Sequence, residues 1–353
     1  MNQQAKRIKE LFGYARTLTK EQGIGTMCVR AAGFFKRRFF GKRARYWPSN
    51  MALEAQRSDP AAETFPIISI LTPLYNTPQN FLTEFLDSVE NQTAHNWQLC
   101  LADASDDAHT YVGELVQKHV AANPRIRYVK IENKGIAANT NAAAGLATGE
   151  YLALADHDDV LAPHAVYTLQ MAILDSGADF LYSDEALFKK SIRRPMVAHF
   201  KPDFAPDYLV CCNYICHLSA FKRSLYFEAG GERSECDGSQ DHDLFLRLTD
   251  RLDETQIYHI PQVLYYWRVH GGSTSGGTAA KPYVARAAKK AIADHLERTG
   301  QRGEVRDGLY PSTYKVDYEI EGEPLVSILI PNKDHTEDLE KCLQSIWKKT
   351  TWD

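Results

Sequence analysis

The apolar residues of the chain come in short, nearly continuous runs separated by helical patterns. Pro66-Ile67-Ile68-Ser69-Ile70-Leu71-Thr72-Pro73 is bounded by prolines and holds few polar residues. A strand covered on both faces reads this way, because both sets of alternating side chains meet other layers. Phe81 to Val89 follows with helical spacing. Trp97–Leu101 reads as a second strand, Tyr111–Val120 as a helix and Ile126–Ile131 as a third strand. Ile136–Leu146 reads as a helix and Tyr151–Ala155 as a fourth strand. Strands alternating with helices predict right-handed crossovers and a mostly parallel sheet.

Outside this core the pattern changes. Residues 1–47 read as an amphipathic helical segment broken by glycines, and 48–64 as a linker with prolines at both ends and few large apolar residues. The strand-and-helix pattern starts again near the other end. Pro324-Leu325-Val326-Ser327-Ile328-Leu329-Ile330-Pro331 repeats the first strand, and Cys342-Leu343-Gln344-Ser345-Ile346 echoes Phe85-Leu86-Asp87-Ser88-Val89. The expected organisation is a basic helical extension and linker (1–64), a catalytic α/β domain (65–315), and a linker with the start of a second copy (316–353). One strand and one helix cannot bury a sheet core, so the chain is expected to be a piece of a longer tandem protein.

Composition changes this picture mainly through charge. The 353 residues are 44% apolar and 24% charged, enough for a sizeable core, and the net charge is only −4. Residues 1–45 nevertheless carry twelve Lys or Arg against two Glu, leaving 29 basic and 43 acidic residues for the rest. A basic arm beside an acidic body suits anionic membrane lipid or nucleic acid. The run Phe34-Phe35-Lys36-Arg37-Arg38-Phe39-Phe40 favours a lipid headgroup layer, with a helix packed on the body as the alternative. The expected partner of residues 1–47 is therefore an anionic membrane surface, with no nucleic acid. Seven cysteines without a CxxC pair, no signal-peptide run at the start and no stretch of about 18 apolar residues point to a reducing cytoplasm. The protein is expected there, on the inner face of the membrane where it is peripheral.

The candidate chemistry centres on Tyr151-Leu152-Ala153-Leu154-Ala155-Asp156-His157-Asp158-Asp159, a buried strand ending in three carboxylates. Ligands of open α/β sheets bind beyond the carboxyl ends of the strands. Crowded carboxylates repel one another unless a cation is present, and oxygen donors suit Mg²⁺ or Mn²⁺. An acidic helix cap is the alternative. Asp103, ending the second strand, can accept the imide N–H of uracil or thymine, or belong to an Asp/Ser turn. Asp241 falls at the opening turn of a helix and can take a proton from a hydroxyl, or cap that helix. Arg268 and His270 alternate in Tyr265-Tyr266-Trp267-Arg268-Val269-His270, so both face one side of a continuing strand, and they suit phosphate and metal. The Gly271-Gly272-Ser273-Thr274-Ser275 tail reads as a loop that closes over ligand.

In order and rough separation these motifs resemble the family 2 glycosyltransferases of the GT-A fold, over about residues 65–300. The matching stretches are SILTPLYN, the DAS turn, NKGIAANTNAA, ALADHDD with its DXD element, GSQDHDL and WRVHGGS. Tyr182–Glu185, Phe200–Asp207 and Asn213–His217 look like the subset that builds bacterial surface polysaccharides such as O-antigen, rhamnosyl transferases among them, often with tandem catalytic domains. The resemblance implies an inverting, metal-dependent transfer from a UDP-, dTDP- or GDP-sugar donor to a glycan or lipid-linked acceptor. By position it places Thr72, Pro73 and Tyr75 in the nucleoside pocket, Asp103 on the base, and Asn133, Lys134, Gly135 and Asn139 near the nucleotide. Asp156 would touch ribose and metal, Asp158 the metal, Asp241 would be the base, and Arg268 and His270 would hold diphosphate and metal. Many members carry paired acids where this chain has Ala102-Asp103, and Glu-Asp where it has Gln240-Asp241. The alternative is a non-catalytic nucleotide-sugar or glycan-binding module of a larger tandem protein.

Overall fold

The computed structural model describes residues 46, 48–270 and 282–351. The basic segment 1–45 and the glycine-rich loop after His270 lie outside them. The chain divides into two compact units, one reaching to Asp317 and one from Tyr318 to Asp353.

The first unit is built on a nine-stranded sheet. Strands β1 (Ile68–Leu74), β2 (Trp97–Asp103), β3 (Ile126–Lys130) and β4 (Tyr151–Leu154) occur where the apolar runs predict them. Helices α2 (Gln79–Glu90), α3 (Tyr111–Ala122) and α4 (Ile136–Ala144) connect them. These four strands are parallel, in the order β3-β2-β1-β4, with Ile68 opposite both Trp97 and Tyr151. Alternation explains the continuous apolar runs. Ile68, Ile70, Leu99, Leu101 and Ala153 face a core shared with α2, α3 and α5 (Ala165–Ser176). Leu71, Cys100, Ala102 and Leu152 face a second core shared with α4, α8 (Gln240–Thr249) and α9 (Pro282–Arg298).

Beyond β4 the order runs β8 (Ser219–Lys222), β6 (Phe180–Phe188), β9 (Ile257–Arg268) and β5 (Val160–Leu161), with β7 (Val197–His199) paired to β6. β6 and β9 are parallel to each other, while β5, β7 and β8 pair antiparallel. The sheet is thus mostly parallel, as expected. A register shift beside Asp184 separates β6 from ideal pairing with β9. Such bulges re-aim the side chains next to them, here Glu185.

Residues 48–64 differ from a plain linker. Ser49 caps helix α1 (Asn50–Arg57) through its hydroxyl, and Leu53 of α1 is buried. The sequence NMALEAQR is rich in good helix formers, which outweigh the flanking prolines. The segment is tied to the domain by Thr93 to Gln56, Tyr167 to Asp59, and Asn96 to the carbonyls of Ala62, Glu63 and Phe65. Short helices α6 (Pro206–Cys211) and α7 (Arg223–Glu228) and a ladder of β10 (Gly303–Asp307) and β11 (Tyr314–Tyr318) complete the elements before the second unit.

In the second unit, α10 (Thr336–Lys349) forms where the repeat of α2 predicts a helix. The repeat of β1, residues 324–331, joins no ladder among the described residues. In the first copy that strand is stabilised by β2 and β4 on its two edges, whereas a helix satisfies its backbone internally.

Candidate active site

The carboxyl ends of β1, β2 and β4 lie on one edge of the sheet, and the predicted site residues gather there. The loops after β1 and β2 are stapled together. The Asn76 amide N–H reaches Ser105 Oγ at 2.9 Å, its side chain donates to Asp106 Oδ2 at 2.8 Å, and Asp106 N–H returns to Asn76 Oδ1 at 3.0 Å. Thr72 is fully buried and Tyr75 is 48% exposed on this edge, with Pro73 between them half-buried. Asp103 is buried, and its carboxylate accepts hydrogen bonds from Ser105 N–H, Tyr128 Oη and Lys130 Nζ at 2.9, 2.8 and 3.2 Å.

The NKG turn is closed by its own side chains. Asn133 Oδ1 accepts from Gly135 N–H and from Asn139 Nδ2, both at 3.1 Å, and Asn139 is buried while Lys134 is exposed. Gly135 has φ +98°, and a Cβ there would lie 2.1 Å from Asp237 Oδ2. That close approach lets Asp237 Oδ1 accept from Ala137 N–H at 3.1 Å and cap α4.

After β4 the three carboxylates part company. Asp156 is 3.4 Å from His217 Nε2, and His217 Nδ1 is 3.4 Å from Glu185. His217 also stacks on Tyr265 at 4.7 Å. Burial opposes a charged imidazole, but the hydrogen bonds and charges of Asp156 and Glu185 raise His217 well above its ordinary range. Burial likewise opposes ionisation of Asp156, yet His217, helped by His157, holds it below the usual carboxylate range. Asp158 Oδ2 lies 2.7 Å from His270 Nε2. Asp159 is fully buried and caps no helix: it accepts from Tyr265 Oη at 2.7 Å and from Arg268 N–H at 2.6 Å. Burial, then the charges of Asp158 and Asp156, push Asp159 well above its ordinary value.

Arg268 and His270 face the same side, as their alternation predicts, and both meet the Phe81 ring, at 4.4 and 5.2 Å. They are not equivalent there. His270 remains beside Asp158. Arg268 is 3% exposed, with its guanidinium donating to Glu84 at 2.8 Å and to the Asp158 carbonyl at 2.5 Å.

Asp241 opens α8 as predicted, and its carboxylate accepts from Asn213 Nδ2 at 2.8 Å. Behind it Glu232 is 5% exposed, and its backbone is anchored to the Asn141 side chain. Burial, then the charges of Asp241, Asp156 and Asp237, raise Glu232 well above the ordinary carboxyl range, against a hydrogen bond from Thr140. Glu232 thus feels carboxylates from the opening of α8 and from the end of β4.

The sequence pattern gives no role to Asn213, His217, Glu185, Asp237 or Glu232, and it gives Asp159 only that of one of three crowded carboxylates or a helix cap. Asn213, His217 and Glu185 lie within motifs that it singled out, whereas nothing in the local pattern marks Glu232. The donor set of the edge fits a hard divalent cation. Asp158 and His270 pair an oxygen with a nitrogen donor at 2.7 Å, the donor types such a cation takes, whereas Asp156 lies with His217 and forms no three-ligand group with them among the described residues. Asp156, Asp159 and His217 also bring ligand atoms within 4.8 Å of one another, but both oxygens of Asp159 already hold protein donors.

A model of the family described as glycosyl transferase family 2 matches residues 69–227. Over 292 residues the chain is 40% identical to Uncharacterized protein y4gI of Sinorhizobium fredii, covering 81% of this chain and 32% of that protein. Over 289 residues it is 30% identical to O-antigen biosynthesis protein RfbC of Myxococcus xanthus, covering 81% and 22%. The chain thus spans a third or less of these relatives. The crystal structure of S. aureus TarS 1-349 in complex with UDP-GlcNAc superposes with a TM-score of 0.54 at 16% identity, covering 65% of this chain and 66% of that one. The sheet and its helices are therefore the GT-A arrangement.

Proposed function

We propose that residues 65–315, of which 69–227 match the model of glycosyl transferase family 2, catalyse an inverting transfer of a sugar from a nucleoside diphosphate donor. The acceptor is a glycan or a lipid-linked oligosaccharide in bacterial surface polysaccharide synthesis. The observation that carries this reading is the 2.7 Å pairing of Asp158 with His270 at the carboxyl end of a parallel strand. The UDP-GlcNAc bound by TarS 1-349 supports a uridine diphosphate donor. The RfbC likeness supports the polysaccharide setting.

Asp103 reads the base, its orientation fixed by Tyr128 and Lys130. Thr72, Pro73 and Tyr75 border the nucleoside, and Asn133, Lys134, Gly135 and Asn139 form the turn beside it. Asp241 takes the proton of an acceptor hydroxyl. That oxygen forms a bond to the anomeric carbon as the bond from that carbon to the diphosphate oxygen breaks, and the electron pair leaves with the diphosphate. Mg²⁺ or Mn²⁺, held by Asp158, His270 and Asp156, would supply positive charge at the leaving diphosphate when bound. Arg268 acts on the diphosphate indirectly: with its guanidinium sealed against Glu84 and Phe81, it holds the Asp158 loop in place.

Residues 316–353 hold a linker and the start of a second copy of the same domain in this reading, supported by the repeat of the β1 and α2 sequences. Residues 1–47 reach an anionic membrane on the cytoplasmic side. Among the described residues no helix is long and apolar enough to cross a membrane. The competing reading, a donor- or glycan-binding module within a larger tandem protein, rests on Ala102-Asp103, where this chain has one carboxylate and many family members have paired acids. A panel of UDP-, dTDP- and GDP-sugars assayed for metal-dependent nucleotide release separates the two. Release from at least one donor supports transfer, and binding without release across the panel supports the module.

A further inference from the structure

The β6–β7 hairpin carries a second surface that the transfer chemistry does not use. Its tip reads Lys189-Lys190-Ser191-Ile192-Arg193-Arg194, and no acidic residue occurs between Glu185 and Asp203. Four cations in six residues stand out in a body whose other residues are acidic on balance. All four are exposed, and none has an ion-pair partner among the described residues. The turn is rigid at its base: Arg194 N–H returns to the Ser191 carbonyl at 2.9 Å, Met196 N–H reaches the Leu187 carbonyl at 2.6 Å, and Ile192 packs against the core.

Apolar side chains stand beside these cations. Met196 is 58% exposed, Val197 50% and Phe200 70%. An isolated exposed apolar residue needs no explanation, but three on one short hairpin next to four cations do. That mixture suits the interface of an anionic bilayer, where cations meet lipid phosphates and apolar groups enter the headgroup boundary. A purely nucleic-acid surface gains nothing from Met196 and Val197.

Two neighbours fix where this surface lies. Tyr46, the described residue next to the basic segment 1–45, packs edge-on against Phe200 with ring centroids 6.3 Å apart. At the root of the tip, Phe188 lies under the Arg268 guanidinium at 4.5 Å, and Arg268 touches the Asp158 loop. A cleft of about 890 Å³ separates the tip from α1 and α2, with Lys190 and Arg193 on one wall and Glu84 and Asp87 on another. Glu84 is already held by Arg268, so the tip keeps its excess of positive charge.

We propose that the β6–β7 hairpin, residues 189–200, is a membrane-docking element that binds an anionic lipid surface, with Lys189, Lys190, Arg193 and Arg194 on the phosphates and Met196, Val197 and Phe200 in the headgroup boundary. It presents the Asp158 edge toward the bilayer, and it is independent of whether the domain transfers sugar. The test uses the full chain, so that the arm is present in every sample. Hydrogen–deuterium exchange is followed with vesicles of phosphatidylcholine and phosphatidylglycerol, and with pure phosphatidylcholine. Residues 187–200 are expected to be protected by the first and not by the second. A variant with Lys189→Gln, Lys190→Gln, Arg193→Gln and Arg194→Gln is expected to lose at least about tenfold in partition onto the anionic vesicles. Its donor binding is expected to match wild type. No protection of the hairpin by anionic vesicles, or unchanged partition of the folded variant, overturns the proposal. So does protection by a single-stranded oligonucleotide but not by vesicles.

Discussion

Asn213 Nδ2 donates to Asp241 Oδ2 across 2.8 Å, a contact spanning 28 residues of chain. It fixes the carboxylate that the proposed reaction needs as a base. Replacing Asn213 by Ala removes the donor on Oδ2 and leaves the His242 N–H on Oδ1 at 2.9 Å, so Asp241 is held less firmly and kcat is expected to fall by about tenfold, a fraction of the full value of a general base. KM for the donor is expected to stay close to wild type. Steady-state kinetics with the donor varied checks this, and an effect on KM alone would place Asn213 in donor binding instead.

Asp158 and His270 face each other at 2.7 Å and are the proposed pair of cation ligands. Asp158→Asn and His270→Ala are each expected to weaken Mn²⁺ binding by at least about tenfold, since even outer-shell changes commonly cost that much. Titration calorimetry with Mn²⁺ measures this without reference to turnover. Chelation by EDTA is expected to abolish nucleotide release and added Mn²⁺ or Mg²⁺ to restore it.

Arg268 links three parts of the chain: Glu84 on α2, the Asp158 carbonyl, and the aromatic rings of Phe81 and Phe188. Glu84 is half-exposed, so the ion pair itself contributes modestly. The larger loss on truncation is the packing volume and the cation–π contacts. Arg268→Ala is expected to destabilise the domain by about 2–3 kcal/mol, read as a lowered urea midpoint. Arg268→Lys is expected to recover only part of this, because an ammonium cannot donate in a fork.

Glu232 predicts a pH dependence of stability. Its carboxyl titrates well above the ordinary range when folded, chiefly from burial and then from Asp241, Asp156 and Asp237. The folded state therefore holds the proton more tightly than the unfolded chain. Its contribution is fully present below the unfolded carboxyl pKa and is lost as pH rises through the raised folded value. Glu232→Gln keeps the shape without the titration. The difference in melting temperature between variant and wild type is expected to grow in the variant's favour from pH 5 to pH 9. A constant difference across that span would show that Glu232 does not titrate as described.

The elements most legible in the sequence were those decided by local pattern. The apolar runs of β1, β2 and β4 announce strands because both faces meet helices, and Asp103, Asp156 and Asp158 follow from where those strands end. The antiparallel strands β5 and β8 were not legible, having two and four residues and no pattern that encodes direction. Helix α1 was obscured by its flanking prolines. Arg268 could be placed near the site but its partner could not, because Glu84 lies 184 positions away. The fate of Asp159 depended equally on distant groups, Tyr265 and the Arg268 backbone. Glu232 carries no local signal at all, since its character comes from carboxylates that the fold brings around it.

The central claim is that Asp241 removes the proton from the acceptor. It is tested most directly by Asp241→Asn, with donor binding and transfer measured separately on the same preparation. The prediction is donor affinity within about twofold of wild type and a transfer rate lower by at least about 10²-fold. A variant that transfers sugar at close to the wild-type rate would contradict it.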